Sequence, residues 1–190
     1  MKKWRLFVLA LAVILIFAAC TPQQSPGKDI EDPSEVEEPK QEEDDPIAEE
    51  EKTMIKLYYV NNDYVNAGDE SLDKVIPVEK EVVLEGKKVE ELIIEELQKS
   101  PKDEKLSTSL EKLNITSVEI KGDTAFVNFS SENLYGSSLE ETLVLHQIVF
   151  SLTELPDVEQ VQILVDGEKQ ETLMGHMEIT NPLKRSDISF

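Results

Sequence analysis

An acidic segment near the N-terminus limits how much of this chain can fold. Residues 28–52 carry 13 acidic side chains and three lysines, and five prolines lie in residues 21–53. The apolar residues of residues 21–53 are Ile30, Val36, Ile47 and Ala48. So little apolar surface cannot offset the entropy lost on ordering. We therefore predict a disordered acidic linker over residues 20–53 and a single folded domain over residues 54–190.

The charge and the residue types exclude several functions. The chain has 40 acidic residues, 19 Lys plus Arg, and a net charge of −21. A nucleic-acid partner is therefore not expected, because phosphate binding needs clustered basic side chains. One cysteine and two histidines leave no intrachain disulfide and no multi-cysteine zinc site. No metal and no cofactor are expected.

The first twenty residues have the pattern of an export signal. Lys2, Lys3 and Arg5 precede the apolar run Leu6–Phe17, which is followed by Ala18-Ala19-Cys20. The run of 12 residues is shorter than the roughly 20 residues that span a bilayer. We predict a lipoprotein signal peptide over residues 1–19, with an uncleaved anchor helix as the alternative.

The end of this signal, Phe17-Ala18-Ala19-Cys20, resembles the bacterial lipobox. The resemblance implies that Cys20 is the lipidation site and the N-terminus of the mature protein. It then carries fatty acyl chains such as palmitate. Two acyl chains anchor a protein stably, whereas one gives marginal binding. The expected location is the cell membrane, lipid-anchored on the extracytoplasmic face.

The first half of the folded region predicts two strands and a helix. Residues 54–60 are rich in β-forming residues, and so are residues 74–84. Pro77 lies inside the second stretch and cannot donate to a ladder, so this strand should lie at a sheet edge or be split. A helix face is predicted from the spacing of Val89, Leu92, Ile93 and Leu97.

A hairpin is predicted over residues 115–130. Gly122-Asp123 forms its two-residue turn. The expected opposite pairs on the apolar face are Ile120 with Ala125, Val118 with Val127, and Thr116 with Phe129.

A second helix should follow, capped by Ser138 with Glu141. Its expected core residues are Leu145, Ile148, Val149 and Leu152. A strand over residues 161–165 and a last one around residues 173–179 complete the order β-β-α-β-β-α-β-β. The expected fold class is α+β, with two helices packed on one mostly antiparallel sheet.

Three stretches of this region resemble the GerMN domain family: residues 75–78, residues 124–130, and residues 146–183. The last includes Val165-Asp166-Gly167 and Asn181-Pro182-Leu183. The resemblance implies a single GerMN-like domain in an extracytoplasmic bacterial lipoprotein linked to sporulation and spore germination. It further implies a domain that assembles envelope complexes by packing against neighbours, and it assigns no chemistry to any residue.

No residue pattern predicts a catalytic centre. His146 lies beside the apolar helix face, which indicates a packed histidine, and His176 has no second histidine near it in sequence. No Gly-x-Ser-x-Gly elbow occurs, and Asp166-Gly167 is interpreted as a turn. Carboxylate pairs are abundant, but the only tryptophan, Trp4, leaves with the signal, so no tryptophan remains for sugar stacking.

We therefore predict a non-enzymatic protein-interaction or assembly module. Its expected partners are the membrane, through the lipid at Cys20, and an envelope or sporulation protein. The alternatives are an accessory ligand-binding or sensor-coupled lipoprotein, and a cell-wall hydrolase accessory.

Overall fold

The computed structural model describes residues 51–188. The signal peptide, Cys20 and all but the last three residues of the predicted linker lie outside these described residues. The elements are β1 (Lys52–Asn61), α1 (Asn62–Ala67), β2 (Val75–Val83), α2 (Val89–Leu97), β3 (Leu106–Ser107), β4 (Ile115–Lys121), β5 (Thr124–Phe129), α3 (Ser138–Leu152), β6 (Gln160–Val165) and α4 (Arg185–Ile188).

The six strands of the described region form two sheets, with the orders β2-β1-β3 and β4-β5-β6. All pairs are antiparallel except β5 with β6, which are parallel. A parallel pair needs a crossover, and α3 lies between these two strands in sequence. The predicted α+β class is confirmed, whereas the expectation of one sheet is wrong because the strands divide into two.

The two long helices join the sheets around one core. α2 packs against β1 and β4, and α3 packs against β1, β6 and α2. The four predicted core residues of α3 are all fully buried. They share one hydrophobic cluster with residues from both sheets.

The position of Pro77 is confirmed. It lies in β2, at the outer edge of its sheet, and opposite Tyr58 of β1. An edge strand tolerates proline because the missing N–H is not needed by a second neighbour.

The hairpin turn and most of its register are confirmed. Gly122 has a φ of +65°, which glycine adopts at low cost. Ile120 opposes Ala125 and Val118 opposes Val127 as predicted, but Phe129 opposes Ile115 instead of Thr116 because the register shifts between Ile115 and Ser117. The Thr116 hydroxyl instead donates to the carbonyl of Asn128 at 3.1 Å.

The cap of α3 lies one residue earlier than predicted. Ser137, not Ser138, is the N-cap, and it pairs with Glu140, not Glu141. The doublets Ser137-Ser138 and Glu140-Glu141 fit the capping spacing in two registers, and only the fold selects between them. Glu141 is thereby free for another role.

The last predicted strand, around residues 173–179, does not form. One isolated bridge joins Thr172 to Glu178. The Asp166-Gly167 turn is confirmed, with φ values of +51° and +83°. No helix within residues 51–188 has the length and apolarity to cross a membrane.

Candidate functional site

Glu141 anchors the loop that replaces the last predicted strand. It is fully buried in α3. Its Oε1 accepts hydrogen bonds from the backbone N–H groups of Leu173 and Met174, each at 2.9 Å, and its Oε2 accepts one from His176 at 2.8 Å. These three backbone N–H groups therefore donate to the Glu141 side chain instead of to a neighbouring strand. Nothing in the sequence distinguishes it from a capping residue.

The two histidines have different surroundings, one buried and one exposed. His146 is 4 % exposed, and its Nδ1–H donates to the Thr142 carbonyl at 2.8 Å. The ring stacks on Phe150 with centroids 5.7 Å apart, and burial lowers its pKa. The predicted packed histidine is confirmed. His176 is exposed, and the described residues contain no group of three His, Cys, Asp or Glu placed to hold a metal ion.

The strongest electrostatic cluster surrounds Glu154, just after α3. Its carboxylate accepts hydrogen bonds from Tyr58 Oη at 2.8 Å and from Arg185 Nη2 at 2.6 Å. Lys56 Nζ lies 3.0 Å away in an ion pair. These contacts join β1, α3 and α4 at one point, which no local sequence pattern indicates.

The ionisation of Glu154 does not suit proton transfer. Burial would raise its pKa, but the hydrogen bonds from Arg185, Lys56 and Tyr58 outweigh burial and lower the pKa to about 2. A general acid or base works best with a pKa near the operating pH. The geometry and the charge therefore assign Glu154 to holding three elements together.

This shift makes a prediction for stability against pH. A lowered folded-state pKa stabilises the fold above the ordinary value of 4.5, and the contribution is lost as the pH falls towards 2. Between pH 7 and pH 2.5 the wild type should therefore lose about 2 kcal/mol more of its free energy of unfolding than Glu154→Gln loses, after allowance for partial solvent screening. Urea unfolding of both forms at pH 7 and pH 2.5 measures this difference. Equal pH dependence of the two forms would contradict it.

The backbone of β1 leaves one side open. Asn61 N–H donates to Lys74, and Glu51 C=O accepts from Leu84, so odd-numbered residues of β1 bond towards β2. Because hydrogen-bonding direction alternates along a strand, even-numbered residues point to the opposite side. There β3 pairs only with Val60 and Asn61.

Side chains of α3 close part of this open side. The Ser151 hydroxyl accepts from the N–H of Tyr58 at 2.9 Å, and Gln147 Nε2 donates to the Tyr58 carbonyl at 3.2 Å. Beyond the end of α3, nothing among the described residues bonds to the outward backbone groups of Met54 and Lys56. We call the backbone of Lys52–Lys56 on this side the open β1 edge.

A groove of about 790 Å³ runs along the open β1 edge. Apolar lining comes from Leu84, Val89 and Leu155, which are half-buried. Met54, which is 60 % exposed, also lines the groove, together with lysines of β1 and of the turn before α2 and with Glu51, Glu79 and Glu154. The edge and the groove together form the candidate site, and sequence reasoning missed its position because it depends on where α3 ends against β1.

Comparison with known proteins now identifies the family. A family model described as "Germane: Sporulation and spore germination" matches residues 56–171, which is more than half of the 190 residues. The chain belongs to the Germane family. The matched span starts within β1 and ends after β6, so it includes both long helices and most of both sheets. Of the open β1 edge it includes only Lys56. The description names a process and no reaction.

Solved structures agree with the Germane assignment. The tandem GerMN domains of the sporulation protein GerM from Bacillus subtilis match with 27 % identity and a TM-score of 0.54, covering 70 % of this chain and 45 % of that one. The first GerMN domain of the same protein matches with 19 % identity and a TM-score of 0.55, covering 71 % and 99 %. This chain therefore corresponds to about half of the tandem structure. The predicted GerMN resemblance is confirmed.

A third structure, of a candidate lipoprotein from Clostridium perfringens, matches with 24 % identity and a TM-score of 0.48, covering 72 % of this chain and 89 % of that one. Among curated proteins, no sequence matches this chain.

Proposed function

We propose that this protein is a non-enzymatic assembly module of the cell envelope that acts in sporulation or spore germination. The observation that carries the proposal is the open β1 edge, which lies at the start of the Germane domain. Unpaired backbone groups next to an apolar groove are a route to binding another chain. The tightly bound, fully ionised Glu154 beside this groove favours binding over acid–base chemistry.

The sequence before the domain supports a tethered mode of action. Cys20 carries the lipid in this proposal, and residues 21–51 connect it to the domain, because β1 already begins at Lys52. Fully extended, these roughly 31 residues reach on the order of 100 Å. The domain would then meet partners within that distance of the extracytoplasmic membrane face.

Replacing the lipidated residue tests the anchor. Cys20→Ser should move the mature protein from the membrane pellet to the soluble fraction, because no acyl chain can then be attached. Thr21→Ser is the control and should stay in the pellet. Retention of Cys20→Ser in the membrane fraction would contradict acyl anchoring.

Crosslinking tests the assembly role separately. A lysine-reactive crosslinker added to intact native membranes should join the wild-type chain to an envelope protein. The same treatment of detergent-dispersed membranes is the control, in which the product should decrease. A monomer as the sole species in intact membranes would contradict the assembly module.

A further inference from the structure

We propose that Met174 and His176, on the loop that Glu141 holds, bind the soft monovalent cation Cu(I). The two side chains supply a thioether sulfur and an imidazole nitrogen, and thioether ligands select Cu(I) over harder cations. The cleft beside this site shares no lining residue with the groove along the open β1 edge. The proposal is therefore independent of the assembly function.

The two side chains meet at Gly136, the residue before the N-cap of α3. His176 Nε2 lies 3.3 Å from the carbonyl oxygen of Gly136. A methyl group placed on Gly136 would lie 2.8 Å from Met174 Sδ, so the sulfur packs directly against this glycine. The sulfur and the nitrogen thus face the same short stretch of backbone. Because methionine has three rotatable side-chain bonds, side-chain rotation can bring both atoms to one ion.

Glu141 holds the backbone of both proposed ligand residues. Its Oε1 accepts from the N–H of Met174 at 2.9 Å, and its Oε2 accepts from the N–H of His176 at 2.8 Å. Metal ligands need a supporting shell of hydrogen bonds that fixes their position. One fully buried carboxylate provides that support for the thioether residue and the imidazole residue together.

Both donor atoms can be reached from solvent. Met174 is half-buried and lines a cleft of about 580 Å³ together with Tyr135 and Glu140. His176 is exposed, and its contact of 3.3 Å with the Gly136 carbonyl is longer than an ordinary N–H···O hydrogen bond. Little is therefore lost when Nε2 turns to a metal ion.

The charge around Gly136 favours a cation. Glu140 Oε2 would lie 3.2 Å from the same methyl group, and it accepts hydrogen bonds from the Ser137 N–H at 2.9 Å and the Ser137 hydroxyl at 3.2 Å. Glu140 therefore adds negative charge beside the sulfur while the cap occupies its oxygen. Together with Glu141 it offsets the positive end of the α3 dipole, which alone would repel a cation.

The neighbouring donors fit other metal sites less well. Within residues 51–188, no group of three His, Cys, Asp or Glu is placed to hold a metal ion, and zinc sites are built from such groups. Met177, the next thioether in the chain, accepts a hydrogen bond from the Thr142 hydroxyl at 3.2 Å. Its sulfur thus contacts α3 instead of Gly136, and Met177 provides the matched control.

The experiment uses silver nitrate as an air-stable probe for Cu(I), in chloride-free buffer. The protein is the full-length chain in detergent with Cys20→Ser, because a free thiol would bind silver itself, and its methionine methyl groups carry ¹³C. NMR should show a saturable shift of the Met174 methyl and of the His176 ring C–H signals. The methyl signals of Met54 and Met177 should change little. Zinc nitrate at the same concentration should not shift the Met174 methyl.

Three variants of this Cys20→Ser chain test the ligands. Loss of an outer-shell partner already costs about 10–100-fold in metal affinity, so Met174→Leu and His176→Asn should each weaken silver binding by at least about tenfold. Met177→Leu should leave the affinity unchanged. Leucine and methionine have similar volumes, so both leucine variants should fold, and circular dichroism checks this.

Three results would overturn the proposal. They are the lack of a saturable shift at the Met174 methyl, an unchanged affinity in His176→Asn, and equal losses in Met174→Leu and Met177→Leu. Each would remove the metal site and leave the assembly function untouched, because crosslinking in native membranes tests that function separately.

Discussion

Glu141→Ala is expected to lower the free energy of unfolding by about 3–5 kcal/mol, because it leaves three backbone N–H groups without their acceptor. These donors belong to Leu173, Met174 and His176. Three unsatisfied donors at about 1–3 kcal/mol each would add up to as much as about 9 kcal/mol. A loss that large is not expected, because His176 is exposed and water can replace the hydrogen bond of its N–H. Urea unfolding followed by circular dichroism measures the change.

Glu140 provides the matched control for this prediction. It is the exposed capping partner of Ser137, and Glu140→Ala should cost about 1 kcal/mol. Glu141→Gln keeps one acceptor oxygen and should fall between the two. A loss for Glu141→Ala no larger than that of Glu140→Ala would show that the buried carboxylate does not hold the loop.

Arg185→Ala is expected to lower the free energy of unfolding by about 2–3 kcal/mol, after allowance for partial exposure of the cluster. The guanidinium donates to the Phe150 carbonyl at 2.6 Å, to Thr153 Oγ1 at 2.7 Å and to Glu154 at 2.6 Å. It also lies over the rings of Tyr58 and Phe150. Chemical unfolding at pH 7 measures the loss.

Two further variants make this second prediction specific. Lys184→Ala removes an exposed cation next to Arg185 and should change the stability by less than about 0.5 kcal/mol. Arg185→Lys keeps the charge but loses the multiple donors and should recover only part of the stability. Equal effects of Arg185→Ala and Lys184→Ala would contradict the role assigned to Arg185.

Local patterns predicted those parts of the fold that depend on neighbours in sequence. The turn at Gly122, most of the hairpin register and the core face of α3 follow from turn chemistry and periodicity. The edge position of β2 follows from the missing N–H of Pro77. Each of these features is decided within about ten residues.

Features decided by distant contacts were not predicted. The capping register of α3 depends on Glu141 meeting a loop more than 30 residues away. The separation into two sheets depends on how α2 and α3 pack, and helical periodicity shows the apolar face but not its partner. The bulge at Thr116 moves the end of β4 by one residue, and the alternation of residue types in this strand is too weak to show it.

The sequence predicted an interaction module but not the surface that binds the partner. The location of the open β1 edge depends on α3 ending where β1 continues. The meeting of Arg185, Glu154 and Lys56 combines three segments that are far apart in sequence. Neither charge count nor periodicity carries this information.

Photo-crosslinking from position 54 in intact native membranes is the most direct test of a partner at the open β1 edge. A photoreactive residue replacing Met54 should give an adduct with an envelope protein. The control position is Tyr135, which is 78 % exposed before α3, and it should give little or no adduct. No adduct from position 54, or equal adducts from both positions, would contradict partner binding at this edge.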